Sequence, residues 1–185
     1  MGDPLRDRRS VTELAKVRQI VEISEKIGNF DKLSRVIETD LAALPRAEMP
    51  TNWRERLVSG RLSFDFADAQ RAVAILEGTL DAAIAAVCQR CLSAFAWQLT
   101  IELKLQFVVP NEPLEGREGY ELWELDDEVL RPMDIVDESL IMAMPLSARH
   151  EGSAKCVEIA PVETGEKMTT PFASLRTQMD KGKKN

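Results

Sequence analysis

From Phe95 to Phe107 the chain alternates without a break: Phe95, Trp97, Leu99, Ile101, Leu103, Leu105 and Phe107 are separated by Ala96, Gln98, Thr100, Glu102, Lys104 and Gln106. A period of two sustained this long cannot be an amphipathic helix, whose apolar positions recur every three or four residues. It requires a strand with one face on a core and the other in water, which is the habit of antiparallel sheets. Leu62, Phe64 and Phe66 alternate in the same way with Arg61, Ser63 and Asp65. A turn at Asp68-Ala69-Gln70-Arg71 then leads to a third strand beginning at Val73 and Ile75. Its apolar phase moves from those odd positions to Leu80, Ala82, Ile84 and Ala86, and Gly78 at the change predicts a β-bulge. Residues 53–109 therefore read as a three-stranded meander.

Helical patterns flank it. Ser10-Val11-Thr12-Glu13 has the form of a capping box, predicting a helix from Val11 to about Arg18. Gln19 to Ser24 is open between helix and strand. Asn29 or Asp31 can cap a second helix bearing Leu33, Val36, Ile37, Leu41 and Leu44 on one face, ended by Pro45. Asp134 can cap a third through Met144, with Val136, Leu140, Ala143 and Met144 aligned and Pro145 as its stop. Thr170 and Pro171 open a last short helix carrying Phe172, Leu175 and Met179. The expected fold class is α+β: an antiparallel β-meander with flanking helices and a C-terminal docking helix. The expected organisation is one domain over 1–156, with 1–50 helical, 53–109 the meander, 111–130 an acidic loop and 134–144 a helix. Residues 157–185 then form a linker and a short basic C-terminal helix or tail.

Charge is concentrated in one place. Between Asn111 and Leu130, Glu112, Glu115, Glu118, Glu121, Glu124, Asp126, Asp127 and Glu128 face only Arg117, which accounts for the whole net charge of -7. Such a stretch is either a solvated loop or a docking surface for a basic partner. Wrapping nucleic acid along the whole chain is disfavoured, so RNA contact would fall to the basic ends: Arg6, Arg8 and Arg9, or Lys181, Lys183 and Lys184. The longest apolar run, Ala82 to Val87, is far below the roughly 20 residues a membrane span requires. No apolar segment follows the N-terminal arginines, so a cytoplasmic location and reduced thiols are expected.

Cys88-Gln89-Arg90-Cys91 is a CxxC between two strands, and it permits three chemistries. A redox pair of the thioredoxin type sits at a helix N-terminus, whereas the segment after Cys91 is strand-like. A structural zinc site needs four ligands. Cys88 and Cys91 share the inward phase of Ala86 and Phe95, and Cys156 with His150, the single histidine, would complete a Cys3His set. Simple packing asks least, because free cysteine is among the most buried residue types. No catalytic constellation is visible: GxSxG, HExxH, the Walker loop and GxGxxG are all absent. Asp137 and Glu138 are adjacent on a helix and point apart.

Taken in order, these elements resemble the YceD family of large ribosomal RNA subunit accumulation proteins. The likeness rests on Cys88, Arg90 and Cys91 in the hairpin and on Asp134-Ile135 with Glu138 and Pro145 in the following helix. Pro171-Phe172-Ala173-Ser174-Leu175 near the end adds to it. The resemblance implies a non-enzymatic role in synthesis, processing or stability of 23S ribosomal RNA. Its implied partners are large-subunit assembly components, either rRNA or a basic ribosomal protein, with no membrane and no small-molecule substrate. No cofactor is expected from the resemblance; zinc at Cys88, Cys91, Cys156 and His150 is the one cofactor the donor residues themselves leave open. A zinc-stabilised interaction module and a CxxC thiol oxidoreductase are the alternatives.

Overall fold

A computed structural model of the chain describes residues 2–68, 73–108, 118–125, 128–150 and Cys156. The fold is α+β. The long alternating segment forms β5, Ala94–Val108, paired antiparallel with β4, Ala74–Val87, from Val87 opposite Ala94 to Ile75 opposite Gln106. β3, Leu57–Phe66, pairs antiparallel with β4. β2, Ile20–Lys26, resolves the open segment after the first helix as a strand and pairs antiparallel with β3. The meander thus has four strands rather than three, because the "helical" N-terminal part contributes its own edge.

The acidic segment is not wholly a loop. Glu121–Glu124, β6, runs parallel to β5 and extends the sheet to the order β2-β3-β4-β5-β6. Val129–Leu130, β7, pairs with Arg9–Ser10, β1, in a small separate ribbon. Four residues of β6, two of them glutamates, are too short and too charged to display a period, which is why alternation did not reveal the strand. The β1–β7 ribbon also explains why the predicted capping box is not made. Ser10 is engaged opposite Val129, and its side chain forms no cap bond to the first helix, α1, Val11–Lys16.

No bulge interrupts β4: its register with β3 and β5 advances residue by residue. Leu76, Gly78, Leu80, Ala82 and Ile84 keep one inward phase, and Ile75 is simply buried as well. Gly78 is needed for space. A methyl group there would lie 2.9 Å from Leu62 Cδ2 and 2.5 Å from the Arg61 carbonyl oxygen. Gly60 has the reciprocal problem, 2.9 Å from Leu80 Cδ2 and 2.2 Å from the Thr79 carbonyl oxygen. Gly60 faces Leu80 and Leu62 faces Gly78, so each leucine folds over the glycine across the strand pair. Gly60→Ala is therefore expected to cost about 1–3 kcal/mol by overpacking, seen as a lower urea midpoint; an unchanged midpoint contradicts this packing.

α1, α2 (Asp31–Leu41) and α3 (Pro132–Ala143) cover one face of the sheet. Leu14, Phe30, Leu33, Ile37, Ile135 and Leu140 meet Leu62, Phe64, Leu76, Leu80 and Ile84 in one core, with Phe64 and Phe107 stacked at 6.2 Å. The other face carries exposed charge, including Glu22, Glu77, Glu102 and Lys104. α2 begins at Phe30 with no cap from its own side chain. Asp137 of α3 supplies one instead, accepting from the Leu33 N–H at 2.8 Å and the Lys32 N–H at 3.1 Å. α3 starts with Pro132 in its first turn, and the extended Met144 before Pro145 ends it. The C-terminal helix expected at 170–179, and most of the turn at 68–71, lie outside the described residues.

Candidate metal centre

The β4–β5 ladder closes at Val87 and Ala94, leaving Cys88 to Ser93 as its connection. Two backbone bonds shape that connection: the Cys88 N–H donates to Ser93 O at 2.9 Å, and the Leu92 N–H donates to Cys88 O at 2.8 Å. Leu92 takes a left-handed backbone, φ 57°, to turn the chain into β5. The result is a tight knuckle that holds Cys88 fully buried and Cys91 half-buried.

The segment after α3 returns to this knuckle. Gln89 N–H donates to Ala148 O at 2.9 Å, and the His150 ring lies 4.4 Å from the Phe95 ring. Cys91 Sγ is 3.5 Å from His150 Nδ1 and 3.0 Å from Ser93 Oγ. Cys88 Sγ is 3.7 Å from Cys156 Sγ. All four donor atoms, from Cys88, Cys91, His150 and Cys156, lie within 4.8 Å of one another.

Those distances can be compared with a metal's demands. Bond lengths of about 2.3 Å for Zn–S and about 2.0–2.1 Å for Zn–N give a tetrahedron edges of about 3.7–3.8 Å between sulfurs and about 3.5–3.6 Å from sulfur to nitrogen. The Cys88–Cys156 and Cys91–His150 separations match these edges. Three thiols and one imidazole are also the soft donor set that zinc takes in closed sites.

The electrostatics divide the thiols. Burial raises the pKa of Cys88, but backbone N–H groups of Cys91, His150 and Arg90, with the Cys91 thiol, outweigh it and hold the pKa down to about 5. Cys156 is pushed up to about 11, first by burial and then by the neighbouring sulfurs of Cys91 and Cys88. The knuckle amides that favour a Cys88 thiolate are of the kind that orient and support thiolate ligands.

The remaining residues marked by the sequence supply no donor atom to the cluster. Asp134 grips Arg131 through both oxygens, at 2.9 and 3.0 Å, in the first turn of α3. Glu138 pairs with Lys32 of α2, Pro145 follows the end of α3, and Arg90 sits at the exposed tip of the knuckle. Ser93, Phe95 and the Ala148 carbonyl were not foreseen as part of the site. Phe95 was visible only as a strand residue, and a carbonyl leaves no trace in a sequence.

Residues 76–181 match the model of a family described as large ribosomal RNA subunit accumulation protein YceD. No curated protein and no solved structure matches the chain.

Proposed function

Because the chain belongs to the YceD family, we propose that it is a non-enzymatic factor in the synthesis, processing or stability of 23S rRNA, with a structural zinc site at Cys88, Cys91, His150 and Cys156. The observation that carries the functional part is the family match, which covers most of β4, the knuckle, β5, α3 and the segment beyond. Family membership gives the broader statement, a part in accumulation of large-subunit ribosomal RNA.

The zinc reading rests on the donor set and its spacing. Four protein ligands would fill a tetrahedral ion, so the metal would brace structure rather than present an open position to substrate. What it braces follows from connectivity: Cys88 and Cys91 lie on the hairpin, and His150 and Cys156 on the segment leaving α3. The ion would tie that segment to the sheet. Cytoplasmic action accords with free thiols, and no described helix is long and apolar enough to cross a membrane.

One observation favours the thiol oxidoreductase, the low pKa of Cys88. Its sulfur is nonetheless fully buried, which denies an incoming disulfide a path to it. A basic ribosomal protein is the partner proposed for the acidic segment, whose Glu121 and Glu124 are displayed on the edge strand β6. Binding of 23S fragments with a steep salt slope, together with no effect on rRNA levels from neutralising the acidic residues of 111–130, would exclude that partner.

Depletion tests the function itself. Cells losing the protein are expected to lose 23S relative to 16S rRNA; an unchanged ratio refutes the reading.

A further inference from the structure

Among the described residues, β6 pairs with β5 only over Leu105–Val108, so the middle of β5 has no strand on that edge. Ile101 and Leu103 of β5, Trp123 of β6, and Met142 and Ala143 of α3 line a groove of about 210 Å3, bordered by Glu102 and Glu121. Ile101, Trp123 and Ala143 are only partly buried, and Met142 at the lip is 75% exposed. Glu102 is paired with Lys104 at 3.2 Å, which leaves Glu121 as the carboxylate at the border. An apolar groove with such a border suits an amphipathic segment with basic residues beside its apolar stripe.

We propose that this groove is the docking site for residues 170–179 of the same chain. Phe172, Leu175 and Met179 recur at i, i+3 and i+7, the spacing of one helical face, and Arg176, Lys181, Lys183 and Lys184 supply the complementary charge. A cavity of about 150 Å3 admits benzene, so this groove accommodates the Phe172 ring with part of a neighbouring aliphatic chain.

The tether has the required reach. Cys156 is held beside the knuckle, and residues 157–169 can extend up to about 45 Å. Leu103 lies about 30 Å along β5 from Ala94. A short tether gives an intramolecular segment an effective concentration in the millimolar range, well above that of a second copy or a free peptide. The family match also joins the two halves of the contact, covering the groove residues and the segment through residue 181.

Amide hydrogen exchange on the full-length protein tests the docking. Amides of residues 172–179 are expected to exchange about tenfold or more slowly than in an unstructured peptide. Two full-length variants should abolish that protection, Phe172→Ser/Leu175→Ser in the segment and Met142→Glu at the exposed lip. Emission from Trp123 should shift to the red in both. Met142 is mostly outside the core, so its substitution leaves the fold intact and keeps the test decisive. Unprotected amides at 172–179 in the unaltered protein overturn the proposal, as does protection that survives Met142→Glu. Protection that fades on dilution assigns the groove to a second copy and also overturns it.

Discussion

Removing the zinc we propose from the reduced protein is expected to lower its melting temperature by about 8–16 °C. A ligand present at a thousand times its dissociation constant stabilises the folded state by about 4 kcal/mol, and each kcal/mol moves the midpoint of a chain this size by about 2–4 °C. The effect should be local in origin. The core of Phe64, Leu76, Leu80 and Ile84 does not include the knuckle, so helix and sheet content at 25 °C should survive chelation. Exchange protection should instead be lost around 88–93 and 144–150, the two segments the ion would join. Cys88→Ser and Cys156→Ser should each reproduce the chelated melting temperature and remove its response to chelator. Less than about half an equivalent of zinc in reduced, untagged protein, with a melting temperature indifferent to chelator, contradicts the site.

Asp137→Ala should destabilise the protein by about 2–3 kcal/mol in urea unfolding. Its carboxylate is buried and receives the Lys32 and Leu33 N–H groups that begin α2, and truncation leaves both without an acceptor. The pH dependence has a definite sign. Burial raises the Asp137 pKa, while the two backbone N–H groups pull it back only in part. The folded state therefore binds this proton more tightly than the unfolded state, and the group's contribution to stability falls as pH rises through the window between the two pKa values. The advantage of the native residue over Asp137→Asn should be greatest below the ordinary carboxylate range and shrink above it. An advantage that grows with pH through that window contradicts the raised pKa.

Legibility in the sequence followed the strength of periodicity. β5 could be read from Phe95 to Phe107 because one face is dry and the other wet along its length. α2 and α3 were visible for the same reason, through Leu33, Ile37 and Leu41 and through Val136 and Leu140. What escaped depended on tertiary partners. β6 is a strand because β5 offers it an edge, and no pattern within Glu121–Glu124 encodes that. Gly78 looked like a bulge because its demand for space comes from Leu62 on another strand. Asp137 read as an unpaired helix carboxylate because the amides it caps lie more than a hundred residues away in the chain. The cluster was legible as residue types, Cys88, Cys91, His150 and Cys156, but their convergence depends on the path from α3 back to the knuckle. Ser93 and Phe95 enter only through that convergence.

If the chain supports 23S rRNA through a metal-braced fold, as proposed, it needs its cysteine–histidine cluster to do so. The ratio of 23S to 16S rRNA in depleted cells resupplied with either the unaltered chain or Cys88→Ser/Cys156→Ser, at matched protein levels, tests it most directly. The expected result is a low ratio on depletion, restored by the unaltered chain and not by the double variant. A ratio that depletion leaves unchanged, or that the double variant restores in full, contradicts it.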